Sequence, residues 1–225
     1  MKKTIYNEFS LEGVCYSGKT TLARSLCESY RGLFLPEYSF FDRSIKRRKK
    51  FPPMSKKDSY QSFEFFLDLD KVRKNYLVAQ PKKLVFSDRS IISTIAFEYA
   101  KFKVNIPNVL DQVTGLIDSH IQNIILPTGW IYMRFNNLVD QKTRLKSHHV
   151  GLSFLVEDIT LKNLQYFYDR LFVELKQFSL VIPTEYSQDL QLKLASRFIE
   201  ERLTVKTRLS PSIFLLAINN FIKNI

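Results

Sequence analysis

Short apolar runs alternate with amphipathic segments along most of the chain, an order that is typical of parallel α/β proteins. The runs Leu84-Val85-Phe86 and Ile131-Tyr132-Met133 are apolar on both faces, as expected of strands that helices cover on both sides. We therefore predict a five-stranded parallel sheet flanked by helices on both faces. Its strands are expected at Phe9–Glu12, Gly32–Pro36, Lys83–Ser87, Trp130–Phe135 and Phe178–Pro183.

A long helix is predicted near Ser59–Ala79, and Ser55 with Asp58 stands where a capping box would begin it. One side of this helix is apolar and is expected to face the core. The other side is polar and could face either solvent or a ligand cleft. The apolar positions are Phe65, Leu69, Val72 and Tyr76, and the polar positions are Gln61, Glu64, Asp68, Lys71 and Asn75.

The chain ends in a second amphipathic helix, which begins at Ser210-Pro211 because proline suits the first helical position. The helix is too short to span a membrane. We expect its apolar side to pack on the domain, and a surface for self-association as a homodimer is the alternative. We therefore predict one domain over residues 1–203 and a C-terminal helical extension over residues 204–225.

Composition narrows the class of protein. The chain has 225 residues, of which 45% are hydrophobic, so it can form one domain with a sizeable core. Cys15 and Cys27 are too few for a disulfide framework. Polar residues interrupt any N-terminal signal sequence, and no apolar stretch approaches a membrane span. We expect a cytoplasmic protein with no membrane partner.

The net charge of +12 suits anionic ligands, such as nucleotides, phosphorylated metabolites, nucleic acid or acidic membranes. The densest basic run, Lys46–Lys50, lies in a proline-containing insertion at residues 40–57. It could be a solvated loop, a contact to a phosphorylated substrate or a contact to nucleic acid. Aromatic residues do not alternate with basic ones as base stacking requires, so nucleic acid is not the expected partner.

The segment from Gly13 to Thr20 has the pattern G-x-x-x-x-G-K-T, a phosphate-binding loop between a predicted strand and a predicted helix. The two glycines permit a sharp turn and bring backbone N–H groups close to phosphate oxygens. Lys19 is expected at the β and γ phosphates, and Thr20 at Mg²⁺. The predicted cofactors are ATP and Mg²⁺, with the nucleotide held by Gly13, Ser17, Gly18, Lys19, Thr20 and Thr21.

Charged residues follow the predicted strands at their carboxyl ends, where a parallel sheet places its ligand crevice. Asp88 is expected to hold Mg²⁺ or its waters, and Arg89 to clamp a phosphoryl group. Glu37 could take a proton from an attacking hydroxyl or bind the metal. Whether Glu37 or Asp88 is the general base stays open.

The fourth strand ends at Arg134, and a helical segment carrying Arg144 follows it. The basic, glycine-containing segment at residues 145–156 suits a lid that closes over ATP. Arg144 is expected to contact the nucleotide and to neutralise charge on the transferred group. His148 and His149 lack a metal-ligand pattern and are expected on the lid surface.

Together these motifs resemble the thymidylate kinase and deoxynucleoside kinase group of P-loop kinases. The residues from Leu11 to Leu22 look like the shared opening of that group, and Asp88-Arg89-Ser90 is similar to its D-R-Y/H and E-R-S segments. The resemblance implies a P-loop kinase fold with a short lid. It also implies that Gln61 reads the base of the acceptor, while Glu37, Arg89 and Arg134 hold the acceptor.

One segment departs from the group: Pro36-Glu37-Tyr38 replaces the usual R-E-P-G or E-P after the second strand. The expected function is ATP-dependent phosphotransfer to a nucleoside or a nucleoside monophosphate. Because of the departure, a kinase of another small hydroxylated metabolite, such as a sugar or an antibiotic, is the alternative. A nucleotide-dependent nucleic-acid-binding protein is a third possibility, motivated by the charge.

Overall fold

The computed structural model describes residues 7–44, 53–80, 84–137, 139–141, 143, 157–205 and 207–225. The predicted lid at residues 145–156, Arg144 and the basic run Lys46–Lys50 lie outside the described residues.

The described strands form one five-stranded sheet in the order β2-β3-β1-β4-β5, and all neighbouring strands run parallel. Each predicted strand is confirmed to within two residues. Because β1 is the central strand, the loop that follows it lies between the carboxyl ends of β3 and β4. The strands are β1 Asn7–Glu12, β2 Leu33–Leu35, β3 Leu84–Asp88, β4 Gly129–Arg134 and β5 Ser179–Pro183.

Helices cover both faces of the sheet, as predicted. Helices α1 and α6 pack on one face, and α2, α3, α5 and α7 pack on the other. Within the described part of the chain, no helix is both long enough and apolar enough to cross a membrane. The helices are α1 Lys19–Tyr30, α2 Lys56–Val78, α3 Ile91–Lys103, α4 Val113–His120, α5 Asp158–Glu174, α6 Gln188–Thr204 and α7 Pro211–Lys223, with 3₁₀ turns at Tyr38–Ser44, Leu110–Gln112 and Lys176–Phe178.

The central strand has one apolar side and one polar side, although both are buried. Phe9 and Leu11 pack with α1 and α6. Since side chains alternate along a strand, Glu8, Ser10 and Glu12 point to the opposite face. Each of these three polar residues is at most 2% exposed. Buried polar groups need hydrogen-bond partners. Ser87 of β3 binds Glu8, and residues at the start of α3 and on α5 bind Glu12.

The C-terminal helix α7 belongs to the core. Ser210 accepts a hydrogen bond from the Ile213 amide at its start (3.2 Å), and Pro211 occupies the first turn. Phe214 stacks on Trp130 with ring centroids 6.1 Å apart, and Phe221 packs edge-on to Phe167 at 4.8 Å. The apolar side of the helix therefore packs on the sheet-covering helices.

Helix α2 begins as its cap predicts, because the Ser55 hydroxyl accepts from the Asp58 amide at 3.1 Å. Phe65 and Leu69 are buried, but Tyr76, which the apolar pattern assigned to the core, is 37% exposed. The pattern also left out Arg73, which is only 1% exposed. The helix can bury this charge because Asp70 and the Arg89 carbonyl oxygen bind it.

Candidate active site

The loop after β1 has a backbone that requires glycine. Gly13 has φ +134°, and a Cβ built there would lie 2.5 Å from the Met133 carbonyl oxygen. Gly18 has φ +91°, and Tyr16 adopts a left-handed conformation at φ 63°. These conformations are rare for side-chain-bearing residues and recur where a backbone must close around a ligand.

Lys19 folds back over this loop. Its ammonium donates to the Val14 carbonyl at 2.7 Å and to the Ser17 hydroxyl at 3.2 Å, and the residue is 5% exposed. Burial, together with the nearby charge of Arg89, lowers the pKa of Lys19 to about 8. The acceptors that Lys19 uses are a carbonyl and a hydroxyl, which are weaker than phosphate oxygens.

The start of α1 is open to an anion. Gly18 is its N-cap and supplies no side-chain hydrogen bond to the first turn. Thr20 and Thr21 are exposed within this first turn. The free N–H groups of a helix N-terminus and its positive dipole end bind phosphate well. The loop residues predicted to hold a nucleotide therefore lie together at the carboxyl end of the central strand.

Thr20 and Asp88 meet although they are far apart in sequence: the Thr20 hydroxyl donates to the Asp88 Oδ2 atom. The other oxygen, Oδ1, is buried without a hydrogen-bond partner among the described residues. A hydroxyl beside a carboxylate is the oxygen pair that suits Mg²⁺ with phosphate and water as its remaining ligands. The site fits this ion, although the described residues contain no cluster of three or more His, Cys, Asp or Glu side chains.

Arg89 directly follows β3, and its side chain contacts both the phosphate-binding loop and the segment after β2. It is held in a left-handed conformation at φ 72°. Its Nη1 atom donates to the Gly13 carbonyl (3.3 Å) and to Ser93 Oγ (3.2 Å). Its Nε atom lies 3.5 Å from Glu37 Oε2. Burial acts to lower the pKa of Arg89, but surrounding anionic groups raise it overall, so the guanidinium stays charged.

Glu37 lies at the rim of the same crevice, since its side chain is 49% exposed whereas that of Arg89 is 12% exposed. Ser39 donates to Glu37 Oε1 at 2.7 Å and orients the carboxylate. The structure therefore brings Glu37, Asp88, Arg89 and the phosphate-binding loop together.

Two other predicted residues lie differently. Arg134 forms a two-point ion pair with Asp169 of α5, with Nε–Oδ1 at 2.9 Å and Nη2–Oδ2 at 3.1 Å. Gln61 is exposed on α2 and makes no hydrogen bond with Glu37 or Arg89. The ion pair of Arg134 with Asp169 was not visible in the sequence, because the two residues are on separate elements.

Sequence reasoning missed Glu12, the last residue of β1. Its buried carboxylate accepts from the Ser90 amide, the Ser90 hydroxyl and the Ser93 hydroxyl, all at 2.6 Å, and from the Tyr168 hydroxyl at 3.4 Å. Burial raises the pKa of Glu12, and the serine hydrogen bonds oppose that rise. Glu12 thus ties the start of α3, and Arg89 beside it, to the loop. The available signal was an acidic residue on the inward side of a buried strand.

No family model and no curated protein matches the chain. Solved structures do match it. Deoxyadenosine kinase from M. mycoides aligns with a TM-score of 0.64 and 13% identity, over 86% of this chain and 99% of that chain. Thymidylate kinase from Candida albicans aligns with a TM-score of 0.67 and 14% identity, over 92% and 97% of the two chains.

Thymidylate kinase from Ehrlichia chaffeensis aligns with a TM-score of 0.59 and 16% identity, over 87% of this chain and 99% of that chain. At these identities the likeness establishes the fold. The P-loop kinase fold predicted from the motifs is confirmed, and the chain spans nearly the whole length of these structures.

Proposed function

We propose that the protein is an ATP-dependent phosphotransferase that acts on a nucleoside or a nucleoside monophosphate. The observation that supports it most directly is the meeting of Thr20 with Asp88 beside the buried Lys19. A hydroxyl, a carboxylate and an ammonium at the mouth of a glycine loop are the groups that Mg²⁺ and a triphosphate need. The nucleoside and nucleotide kinases that share the fold support this class of acceptor.

In this proposal bound Mg·ATP supplies the phosphoryl group and the metal charge. Lys19 exchanges its contacts with Val14 and Ser17 for phosphate oxygens. Thr20 and Asp88 would hold the metal, and Arg89 would stabilise charge on the transferred group. Catalysis then consists mainly of positioning and charge stabilisation, because phosphoryl transfer needs little covalent help from the protein. Arg144 is proposed to add a second cation.

Glu37 is proposed as the general base. Its half-exposed carboxylate can accept the proton of an acceptor hydroxyl as the hydroxyl oxygen bonds to phosphorus. Asp88 is less suited, because Thr20 occupies one of its oxygens and the other is buried. A carboxylate at the rim also repels a phosphate group, so the pair of Glu37 with Arg89 favours a hydroxyl acceptor such as a nucleoside. Gln61 and Arg134 are proposed as further acceptor contacts.

The test is transfer of label from γ-labelled ATP to a panel of nucleosides, nucleoside monophosphates and sugars. Lys19→Ala should lower turnover by at least about 10²-fold, in line with the loss of one transition-state donor. Lys56→Ala is the matched control, because Lys56 is exposed and, among the described residues, binds Asp111 alone in a surface pair at 2.8 Å. A folded Lys19→Ala variant with wild-type turnover would show that the loop assignment is wrong.

The panel also separates the acceptor classes. Transfer to sugars or other hydroxylated metabolites, with none to nucleosides or nucleotides, would favour the alternative acceptor that the Pro36-Glu37-Tyr38 segment suggests. Transfer to no acceptor in the panel by the folded protein would refute the proposed function.

A further inference from the structure

Arg73 is a buried charge in the middle of α2 that the mechanism above does not use. It is 1% exposed. Its Nη1 atom donates to Asp70 Oδ1 at 3.2 Å, and its Nη2 atom donates to the Arg89 carbonyl oxygen at 2.8 Å. A buried guanidinium is expensive to desolvate, so its retention needs a reason beyond stability.

Arg73 and Asp70 also contact the segment that follows β2. The Arg73 guanidinium lies over the Tyr38 ring, 4.4 Å from its centroid. The Tyr38 hydroxyl donates to Asp70 Oδ1 at 2.8 Å. Tyr38 follows Glu37 directly in sequence. Arg73 and Asp70 therefore hold the segment after β2, while Arg73 also holds the segment after β3.

These two segments carry Glu37 and Arg89, the pair that is proposed to hold the acceptor. Glu37 and Arg89 approach to 3.5 Å between Oε2 and Nε. Arg89 has a left-handed backbone, which is unfavourable for a residue with a side chain and needs support from surrounding groups. The bond from Arg73 to its carbonyl provides that support, because it fixes the direction of the peptide group that follows Arg89.

The contacts made at position 73 require the shape of an arginine side chain. A guanidinium holds five N–H donors in one rigid plane, so separate nitrogen atoms can bind Asp70 and the Arg89 carbonyl while its flat face lies on an aromatic ring. An ammonium is a compact charge without that plane or that fixed spacing of donors. The charge of Arg73 also acts on Glu8, where it opposes the rise in pKa that burial causes. Burial raises the pKa of Asp70 to about 6, and the charge of Arg73 opposes that rise. Arg73 thus favours the ionised Asp70 that the Tyr38 hydroxyl binds.

We propose that Arg73 is a positioning residue, which sets the separation and orientation of Glu37 and Arg89 for the acceptor. The inference rests on the proposed phosphotransfer function. It predicts a defect specific to the acceptor, because none of the described contacts of Arg73 reach Lys19 or Thr20.

The test uses variants that separate positioning from stability. Arg73→Lys keeps the charge but has no second nitrogen atom with which to bind both Asp70 and the Arg89 carbonyl. The double variant Asp70→Asn with Arg73→Met removes both charges together, so it leaves no new unpaired ion between them. Arg202→Met is the matched control, because Arg202 is also a buried arginine (8% exposed). It also donates to backbone carbonyls, of Thr128 at 3.3 Å and Thr207 at 2.9 Å, and it lies over the Phe178 ring.

Kinetics are measured where urea denaturation shows every variant to be folded. Both Arg73 variants should lose about 10²-fold in kcat/KM for the acceptor, the scale of a misplacement of about 1 Å. Their KM for ATP should stay within about threefold of wild type. Arg202→Met should lose stability but keep both constants. Equal acceptor constants in wild type and the Arg73 variants, or equal losses in the Arg202 variant, would overturn the proposal.

A crystal structure of the double variant provides a readout without turnover. Arg89 should leave its left-handed conformation, and Glu37 and Arg89 should separate. If Arg89 keeps φ near 72° and the pair stays near 3.5 Å, Arg73 does not position them. If the wild-type protein transfers phosphate to no acceptor, the proposed function fails. The crystal structure of the double variant still decides whether Arg73 positions Glu37 and Arg89.

Discussion

Replacing Lys19 with methionine should stabilise the ligand-free protein near neutral pH. Burial lowers the pKa of Lys19 from 10.5 to about 8, so the folded protein holds a charged ammonium at a cost. This pKa difference corresponds to about 3 kcal/mol. Methionine fills a similar volume without charge. The bonds to Val14 and Ser17 that it loses contribute about 1–1.5 kcal/mol each, so the net gain should be about 1 kcal/mol.

The pH dependence gives the sharper measurement. Below pH 8 both the folded and the unfolded chain carry the Lys19 proton, and the cost is fully present. Between pH 8 and 10.5 the unfolded chain binds more protons than the folded one, so wild-type stability rises with pH. The difference in unfolding free energy between Lys19→Met and wild type, measured by urea denaturation, should therefore change by about 2–3 kcal/mol between pH 7 and pH 10, so that the variant becomes the less stable protein at pH 10.

A ligand should reverse the order of the two proteins. Mg·ATP should stabilise wild type by mass action and the methionine variant much less, because Lys19 is its phosphate contact. A difference in unfolding free energy that stays constant from pH 7 to pH 10 would refute the inference that burial of the charged Lys19 destabilises the folded protein. Equal stabilisation of both proteins by Mg·ATP would refute its role at the phosphates.

Two further predictions concern the loop and the buried polar side of β1. Gly13→Ala should destabilise the protein by about 2 kcal/mol or more in urea, because of its φ of +134° and the Met133 carbonyl 2.5 Å from the new Cβ. Gly115→Ala, a helical control with no atom within 4 Å of the new Cβ, should stabilise by up to about 1 kcal/mol, and equal effects would contradict the loop geometry. Burial raises the pKa of Glu8 from 4.5 to about 7, so wild type loses stability as pH rises from 4.5 through 7. Glu8→Gln should therefore gain on wild type by about 3 kcal/mol between pH 4.5 and pH 8, and a flat difference in unfolding free energy would show that Glu8 is ionised throughout.

The sequence alone determined the parts of this protein that depend on short-range rules. The five strands follow from apolar runs of strand length, and the start of α2 follows from Ser55 and Asp58 within one turn. The phosphate-binding loop could be found because its residues lie within eight positions, and its backbone demands glycine locally. The meeting of Asp88 with Thr20 followed from one topological rule, that carboxyl ends of parallel strands share an edge.

Only the tertiary structure decided which charges are buried and what they bind. Arg73 lies four residues after Leu69, on the buried side of α2, but the hydrophobic pattern shows none of the partners that keep its charge there. Its partners come from α2 and from segments after β2 and β3. Glu12 and Arg134 likewise find partners on α3 and α5. A buried charge is stable only where distant elements converge to supply its bonds, and that convergence is a property of packing rather than of any local pattern.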